Sequence, residues 1–218
     1  MKRRKFVKIS ALGAVSSFLS PKIFSQNLYD KPIKIAICGL GNYAEKWIAP
    51  AIEKSKYAKL TALITGSPNK VSKWCEKYQI EAANVYNYQT LDEIVNNPDI
   101  DCVYIATPTG NHAEFTIRSF KAGKHVICEK PLEITPQRID EMISICEENK
   151  VSLSGIFPRR FNESTHIFKQ AIKEERLGKI ILCDTAIKWW RTQEYYDSGA
   201  WRGTWNLDGG GALMNQSI

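Results

Sequence analysis

No acidic side chain occurs before Asp30, although Lys2, Arg3, Arg4, Lys5, Lys8 and Lys22 place six positive charges in that stretch. The formal net charge of +7 therefore belongs almost wholly to the leader, and the remaining chain is close to neutral. A neutral body without a basic aromatic stripe excludes a nucleic-acid-binding face as the source of the charge. Long apolar runs are missing too. The mild run from Ile9 to Leu19 is too short and too polar for a stable membrane span. Six cysteines include no pair at metal-site or redox-motif spacing, and three scattered histidines support no metal site. Cys38, Cys102, Cys128 and Cys183 fall in strand-like runs and Cys75 and Cys146 on helical stripes, so all six are expected as buried free thiols.

What is present at the start has an order. Lys2-Arg3-Arg4-Lys5 precedes the mild apolar run and resembles a twin-arginine export signal, with a basic cytoplasmic N-terminus as the alternative. Residues 1–29 are read as this leader, which implies a periplasmic or otherwise exported protein.

From Ile33 onward strands alternate with helices. Ile33 to Cys38, Leu60 to Thr65, Asn84 to Tyr86, Asp101 to Ala106 and Val126 to Cys128 read as five strands. Between them lie helical stripes at Trp47, Ile48, Ala51 and Ile52, at Val71, Trp74, Cys75 and Tyr78, over 113–122, and at Ile139, Met142, Ile143 and Cys146. Pro50 predicts a kink, Ser67 a helix cap, and Thr90 with Glu93 a capping box. Strands apolar on both faces call for a parallel sheet covered on both sides. The fold class is α/β, a Rossmann sheet over 30–150. Beyond it, residues 151–218 read as the start of an α+β open mixed-sheet domain, incomplete, with strands at 151–156 and 179–190 and a helix at 162–175.

Chemistry-bearing residues collect at the carboxyl ends of these strands, where such sheets bind ligands. Gly39-Leu40-Gly41-Asn42-Tyr43-Ala44 follows the first strand and opens a helix, the context in which a G-x-G-x-x-A run carries a dinucleotide pyrophosphate. No acid stands at the end of the second strand to hold adenosine ribose hydroxyls. Ser67 and Lys70 are there instead, which favours NADP over NAD. Thr107, Pro108, Asn111 and His112 form the loop after the fourth strand and could line the nicotinamide side, although His112 could equally cap the next helix. Glu129-Lys130-Pro131 follows the fifth strand. An ammonium at that place can polarise a substrate oxygen, with Glu129 orienting it; an exposed Lys-Pro turn is the plain alternative.

Taken together, Gly39-Leu40-Gly41, Ala106-Thr107-Pro108, Asn111-His112, Gly123-Lys124-His125-Val126 and Glu129-Lys130-Pro131 resemble the glucose–fructose oxidoreductase / inositol dehydrogenase family. Gly155-Ile156-Phe157 with Arg159-Arg160-Phe161-Asn162, and Trp201-Arg202 with Gly209-Gly210-Gly211, resemble its substrate domain. The resemblance implies reversible hydride transfer between NAD(P) and a sugar, polyol or sugar derivative, in a protein that forms homo-oligomers at full length. It implies that Lys130 acts on the substrate hydroxyl and that Arg160 and Trp201 contribute on the substrate side. It also implies a histidine soon after the triple glycine, so the 218 residues are expected to be a fragment or a truncated product. A cofactor-dependent glycoside-cleaving enzyme and a non-catalytic dinucleotide-binding protein are the alternatives.

Overall fold

The computed structural model describes residues 31–217, so the leader and its export signal lie outside the described residues. Among the described residues there are six strands: β1 (Ile33–Cys38), β2 (Ala58–Ile64), β3 (Val85–Tyr86), β4 (Cys102–Ile105), β5 (His125–Cys128) and β6 (Leu153–Gly155). They form one parallel sheet in the order β3-β2-β1-β4-β5-β6. The order reverses between β1 and β4, and ligands bind such sheets at the crevice opened there.

The helices are α1 (Ala49–Lys54), α2 (Val71–Tyr78), α3 (His112–Lys121), α4 (Pro136–Glu148), α5 (Glu163–Lys173), α6 (Gln193–Asp197) and α7 (Trp205–Asp208). Alternate strand residues feed two cores. Ile35 and Ile37 pack with Ile48, Ile52 and Trp74 from α1, α2 and the turn before α1, whereas Ala36 and Cys38 pack with Phe115, Phe120 and Met142 from α3 and α4. Each fully buried Ile, Leu or Phe contributes roughly 1.5–3 kcal/mol, so covering both faces supplies the stability that keeps the crevice rigid.

Several sequence expectations shift in register. One π turn (Ala44–Ile48) precedes α1, with Pro50 in α1's first turn. The extra residue rotates the stripe, so Ile48, Ala49 and Ile52 are buried while Trp47 is 66% exposed and Ala51 is exposed. On α4, Ile143 likewise faces water and Ile145 packs on the core with Met142 and Cys146. Ser67 stands at a helix start without making a side-chain cap. No capping box forms at Thr90, whose hydroxyl accepts from Asn87 N (3.0 Å) ahead of a 3₁₀ turn rather than an α-helix.

The larger correction concerns the second half. The strand expected to begin a second domain is β6, and it pairs with β5 as the sixth strand of the parallel sheet. Its strand character was legible; its partner was not, because pairing depends on an edge far away in sequence, as in Val126↔Leu153. Among the described residues no strand forms at 179–190, and no mixed sheet follows β6. A strand needs a neighbouring edge to satisfy its N–H and C=O groups, and none lies beside this segment among the described residues. Ile181, Leu182 and Trp190 are accordingly exposed. Cys183 is exposed as well, against the expectation of a buried thiol, whereas Cys38, Cys102, Cys128 and Cys146 are buried and Cys75 is half-buried. No helix of the described residues is long and apolar enough to cross a membrane.

Candidate active site

The turn after β1 is built on Gly39, whose φ of +99° is ready for glycine alone. A Cβ there would lie 2.8 Å from the carbonyl oxygen of Ala106 at the end of β4. Gly41, by contrast, has no neighbour among the described residues within 4 Å of where a Cβ would stand. The first glycine thus lets two strand ends close together, and the second leaves open space above the turn. Leu40 is buried, Asn42 and Tyr43 are exposed, and Tyr43 leans over the mouth of the crevice. Lys70 reaches back from the end of β2 and donates from Nζ to the Leu40 carbonyl (2.7 Å), so it braces the glycine turn. Ser67 lies beside it and donates its backbone N–H to Thr65 Oγ1 (3.0 Å).

The loop after β4 forms the opposite wall. Thr107 is buried, and its hydroxyl has no hydrogen-bond partner among the described residues. Pro108 and Asn111 close a tight turn through Asn111 N to Pro108 O (3.0 Å). His112 caps nothing: its two ring nitrogens lie 2.9 Å from the Thr107 carbonyl and 2.8 Å from the Pro131 carbonyl. It ties the β4 and β5 loops together from a buried position, and burial pushes its pKa down despite those two carbonyls. The α3 amino terminus is itself engaged by Glu133, which accepts from Ala113 N (2.9 Å).

Glu129, Lys130 and Pro131 follow β5, with a cis Lys130–Pro131 peptide. Glu129 is buried and does not reach the Lys130 ammonium. Its carboxylate accepts from Tyr104 Oη (2.7 Å) and from Lys130 N (3.3 Å), and burial holds its pKa above the ordinary carboxylate value. The ammonium is oriented instead by Asn215, to whose backbone oxygen it donates at 2.6 Å and to whose Oδ1 at 2.9 Å. Asn215 Nδ2 in turn donates to Asp208 Oδ1 (2.6 Å), and Asp208 Oδ2 accepts from Gly203 N (2.8 Å). Only one orientation of the Asn215 amide serves both the lysine and the carboxylate. Lys130 is therefore held by a buried relay, Lys130–Asn215–Asp208, that joins the sheet to the segment after α7.

Sequence reasoning did not single out Asp208, Asn215, Arg191 or Tyr195. The signal available was the triple glycine: Gly209, Gly210 and Gly211 all have positive φ, and they bend the chain so that Asp208 and Asn215 face each other. Arg160 and Trp201, expected on the substrate side, both line the crevice. His125 and His166 do not. The crevice holds about 660 Å³ and is bounded by Tyr43, Thr107, Glu129, Lys130, Arg191 and Trp201 among others, a size suited to a small organic ligand.

A glycine turn at the switch point of a 3-2-1-4-5-6 parallel sheet, facing an oriented lysine, defines a dinucleotide-binding oxidoreductase domain. Residues 33–157 match the oxidoreductase family with an NAD-binding Rossmann fold. The chain belongs to that family, Gfo/Idh/MocA. It resembles the crystal structure of aldose–aldose oxidoreductase from Caulobacter crescentus complexed with glycerol, at 32% identity and a TM-score of 0.74 over 85% of this chain and 54% of that one. The WlbA dehydrogenase from Bordetella pertussis, in complex with NADH and UDP-GlcNAcA, is 29% identical with a TM-score of 0.77 over 87% of this chain and 55% of that one. Inositol 2-dehydrogenase from Rhizobium meliloti is 29% identical over 68% of this chain and 43% of its own length. The chain spans about half the length of the curated relatives it matches.

Proposed function

We propose that the chain supplies the cofactor domain and the reacting lysine of an enzyme that moves hydride between a nicotinamide dinucleotide and a hydroxyl-bearing carbon of a sugar, polyol or sugar derivative. The observation that carries this reading is the position of Lys130. Its ammonium is fixed by Asn215 in the crevice that Tyr43 and Thr107 enter from the dinucleotide side. When bound, the dinucleotide supplies the hydride acceptor or donor at its nicotinamide ring. Lys130 donates a hydrogen bond to the substrate oxygen and offsets the negative charge that develops there. The named substrates of the relatives, an aldose and an inositol, support the substrate class.

The residues present fit a dinucleotide. Gly41 leaves space for a pyrophosphate against the backbone, and Thr107 offers a buried hydroxyl with no partner of its own among the described residues. Thr107→Val should therefore leave the denaturant midpoint unchanged or slightly higher, since an unsatisfied buried hydroxyl costs about 1–3 kcal/mol. The same variant should weaken dinucleotide binding several-fold in a fluorescence titration. Equal affinity in both proteins would remove Thr107 from the site.

Ser67 and Lys70, with no acid at the end of β2, favour NADP. In the full-length protein, released ligand identified by mass spectrometry should be NADP(H) in excess of NAD(H), and Lys70→Ala should narrow that excess. The function itself is tested by growth of reduced-nicotinamide absorbance on adding polyols or aldoses to the full-length enzyme. Retained dinucleotide with sugar cleavage and no net nicotinamide reduction would overturn it. Homo-oligomer formation and export led by Arg3-Arg4 belong to the same proposal for the whole protein.

A further inference from the structure

Among the described residues the crevice is lined by five cationic side chains, Lys130, Arg159, Arg160, Arg191 and Arg202, and one carboxylate, that of Glu129. That carboxylate is buried and already engaged by Tyr104 and the Lys130 backbone. None of the four arginines forms an ion pair among the described residues, whereas Arg118, Arg138 and Arg176 each have an acidic partner. Arginines on open surface are ordinarily solvated and carry no message. Arg191 and Arg202 differ, because both are half-buried and each lies against two aromatic rings.

The Arg191 guanidinium lies 5.3 Å from the Trp189 ring centroid and 5.0 Å from that of Tyr195. Arg202 lies 4.4 Å from Tyr195 and 4.6 Å from Trp201. Contact with two rings restricts each guanidinium and leaves its N–H groups as held donors. Arg191 uses Nε on Gln216 Oε1 (2.9 Å), and Arg202 uses Nε on Ser198 Oγ (3.1 Å) and Nη1 on Tyr195 Oη (2.8 Å). The terminal nitrogens of Arg191, and Nη2 of Arg202, have no partner among the described residues. The same two arginines help to depress the Lys130 pKa, as like charges brought close in a poorly solvated crevice do. A neutral sugar would leave this excess of positive charge uncompensated.

We propose that the substrate is an anionic sugar or polyol derivative, bearing a carboxylate or phosphoryl group that Arg191 and Arg202 hold while Arg159 and Arg160 attract it from the rim. This rests on the sugar-type reaction proposed above and specifies its substrate class. A carboxylate and a phosphoryl group present the same acceptor oxygens to the arginine forks, so the probes must separate them.

The test is calorimetric titration of the full-length, dinucleotide-loaded protein with D-glucuronate, D-glucose 6-phosphate and D-glucose. At least one anion should bind about ten- to a hundredfold more tightly than glucose, as one charge-assisted hydrogen bond predicts, and added salt should erode the difference. The tighter anion identifies the group. Arg191→Gln should abolish most of the preference and Arg191→Lys should restore part of it. If Arg191→Gln does not fold, Arg159→Gln and Arg160→Gln, at exposed positions, should each reduce the preference. Glucose binding as tightly as both anions, a preference unchanged in these variants, or no anion binding at millimolar concentrations would overturn the proposal. Anion binding without nicotinamide reduction would overturn the hydride-transfer reading instead and leave the anionic ligand standing.

Discussion

Lys130→Met is expected to lower kcat/KM of the full-length enzyme by about 10²- to 10⁴-fold, the usual worth of one positioned proton donor or charge stabiliser. Methionine keeps the length of the stem and removes only the ammonium, so the dinucleotide affinity should stay within a few-fold of the parent. The loss should fall on kcat, because the charge acts on an oxygen that is negative only along the reaction, as its proton leaves ahead of hydride in oxidation or as hydride arrives at its carbon in reduction. The pH profile gives a second reading of the same group. Burial first, then Arg191 and Arg202, lower the Lys130 pKa, while Glu129 and Asp208 pull it upward. The charged form is the useful one, so the lysine's contribution should fade as pH rises through a pKa below that of ordinary lysine. Arg191→Gln removes a like charge and should move that limb to higher pH. Lys130→Met should lack the limb. A methionine variant with near-parental kcat, or with the limb intact, would take Lys130 out of the reaction.

The features legible in the sequence are those whose cause is local. Gly39 and Gly41 were readable because a strand ends and a helix begins within six residues of them. Lys130 was readable because Val126 to Cys128 announces a strand and the crevice end follows at once. Most residues of the core stripes were readable, and one exception has a local cause of its own: a π turn before α1 turned Trp47 out to water.

The relay behind Lys130 was not legible, because Lys130 and Asn215 are 85 residues apart. Nothing in the spacing of Asp208 and Asn215 names the lysine as their target. The arginine cluster was hidden for the same reason. Arg160 and Trp201 were singled out by resemblance, but Arg191 and Tyr195 join them only when the chain after β6 folds back over the β4 and β5 loops. Gly110 records how close that return is, since a Cβ there would collide with the backbone oxygen of Asn206. The strand expected at 179–190 shows the opposite limit. Its residues suit a strand, but a strand forms only where an edge is present to receive it.

Gly39→Ala and Gly41→Ala should separate what the two glycines do. At Gly39 the backbone is at φ +99°, and the added Cβ would stand 2.8 Å from Ala106 O and 3.0 Å from Ala106 C. Both of those are main-chain atoms, and Ala106 N donates to Cys38 O (2.8 Å) in the continuation of the β1–β4 ladder. The neighbour cannot give without parting the two central strands. Backbone strain of about 1–3 kcal/mol and overpacking of about 1–3 kcal/mol together predict a loss of about 2–6 kcal/mol, seen as a lower denaturant midpoint. Dinucleotide affinity should fall with it, because the open space over Gly41 exists only while β1 and β4 remain closed. Gly41→Ala meets no neighbour, so its midpoint should match the parent while its dinucleotide affinity drops about tenfold or more, the methyl group holding the pyrophosphate off the backbone. The contrast is the test. If Gly41→Ala binds dinucleotide as the parent does, the space above the turn is not where the pyrophosphate sits, and the glycine run would be a strand-to-helix turn shaped by Ala106 alone.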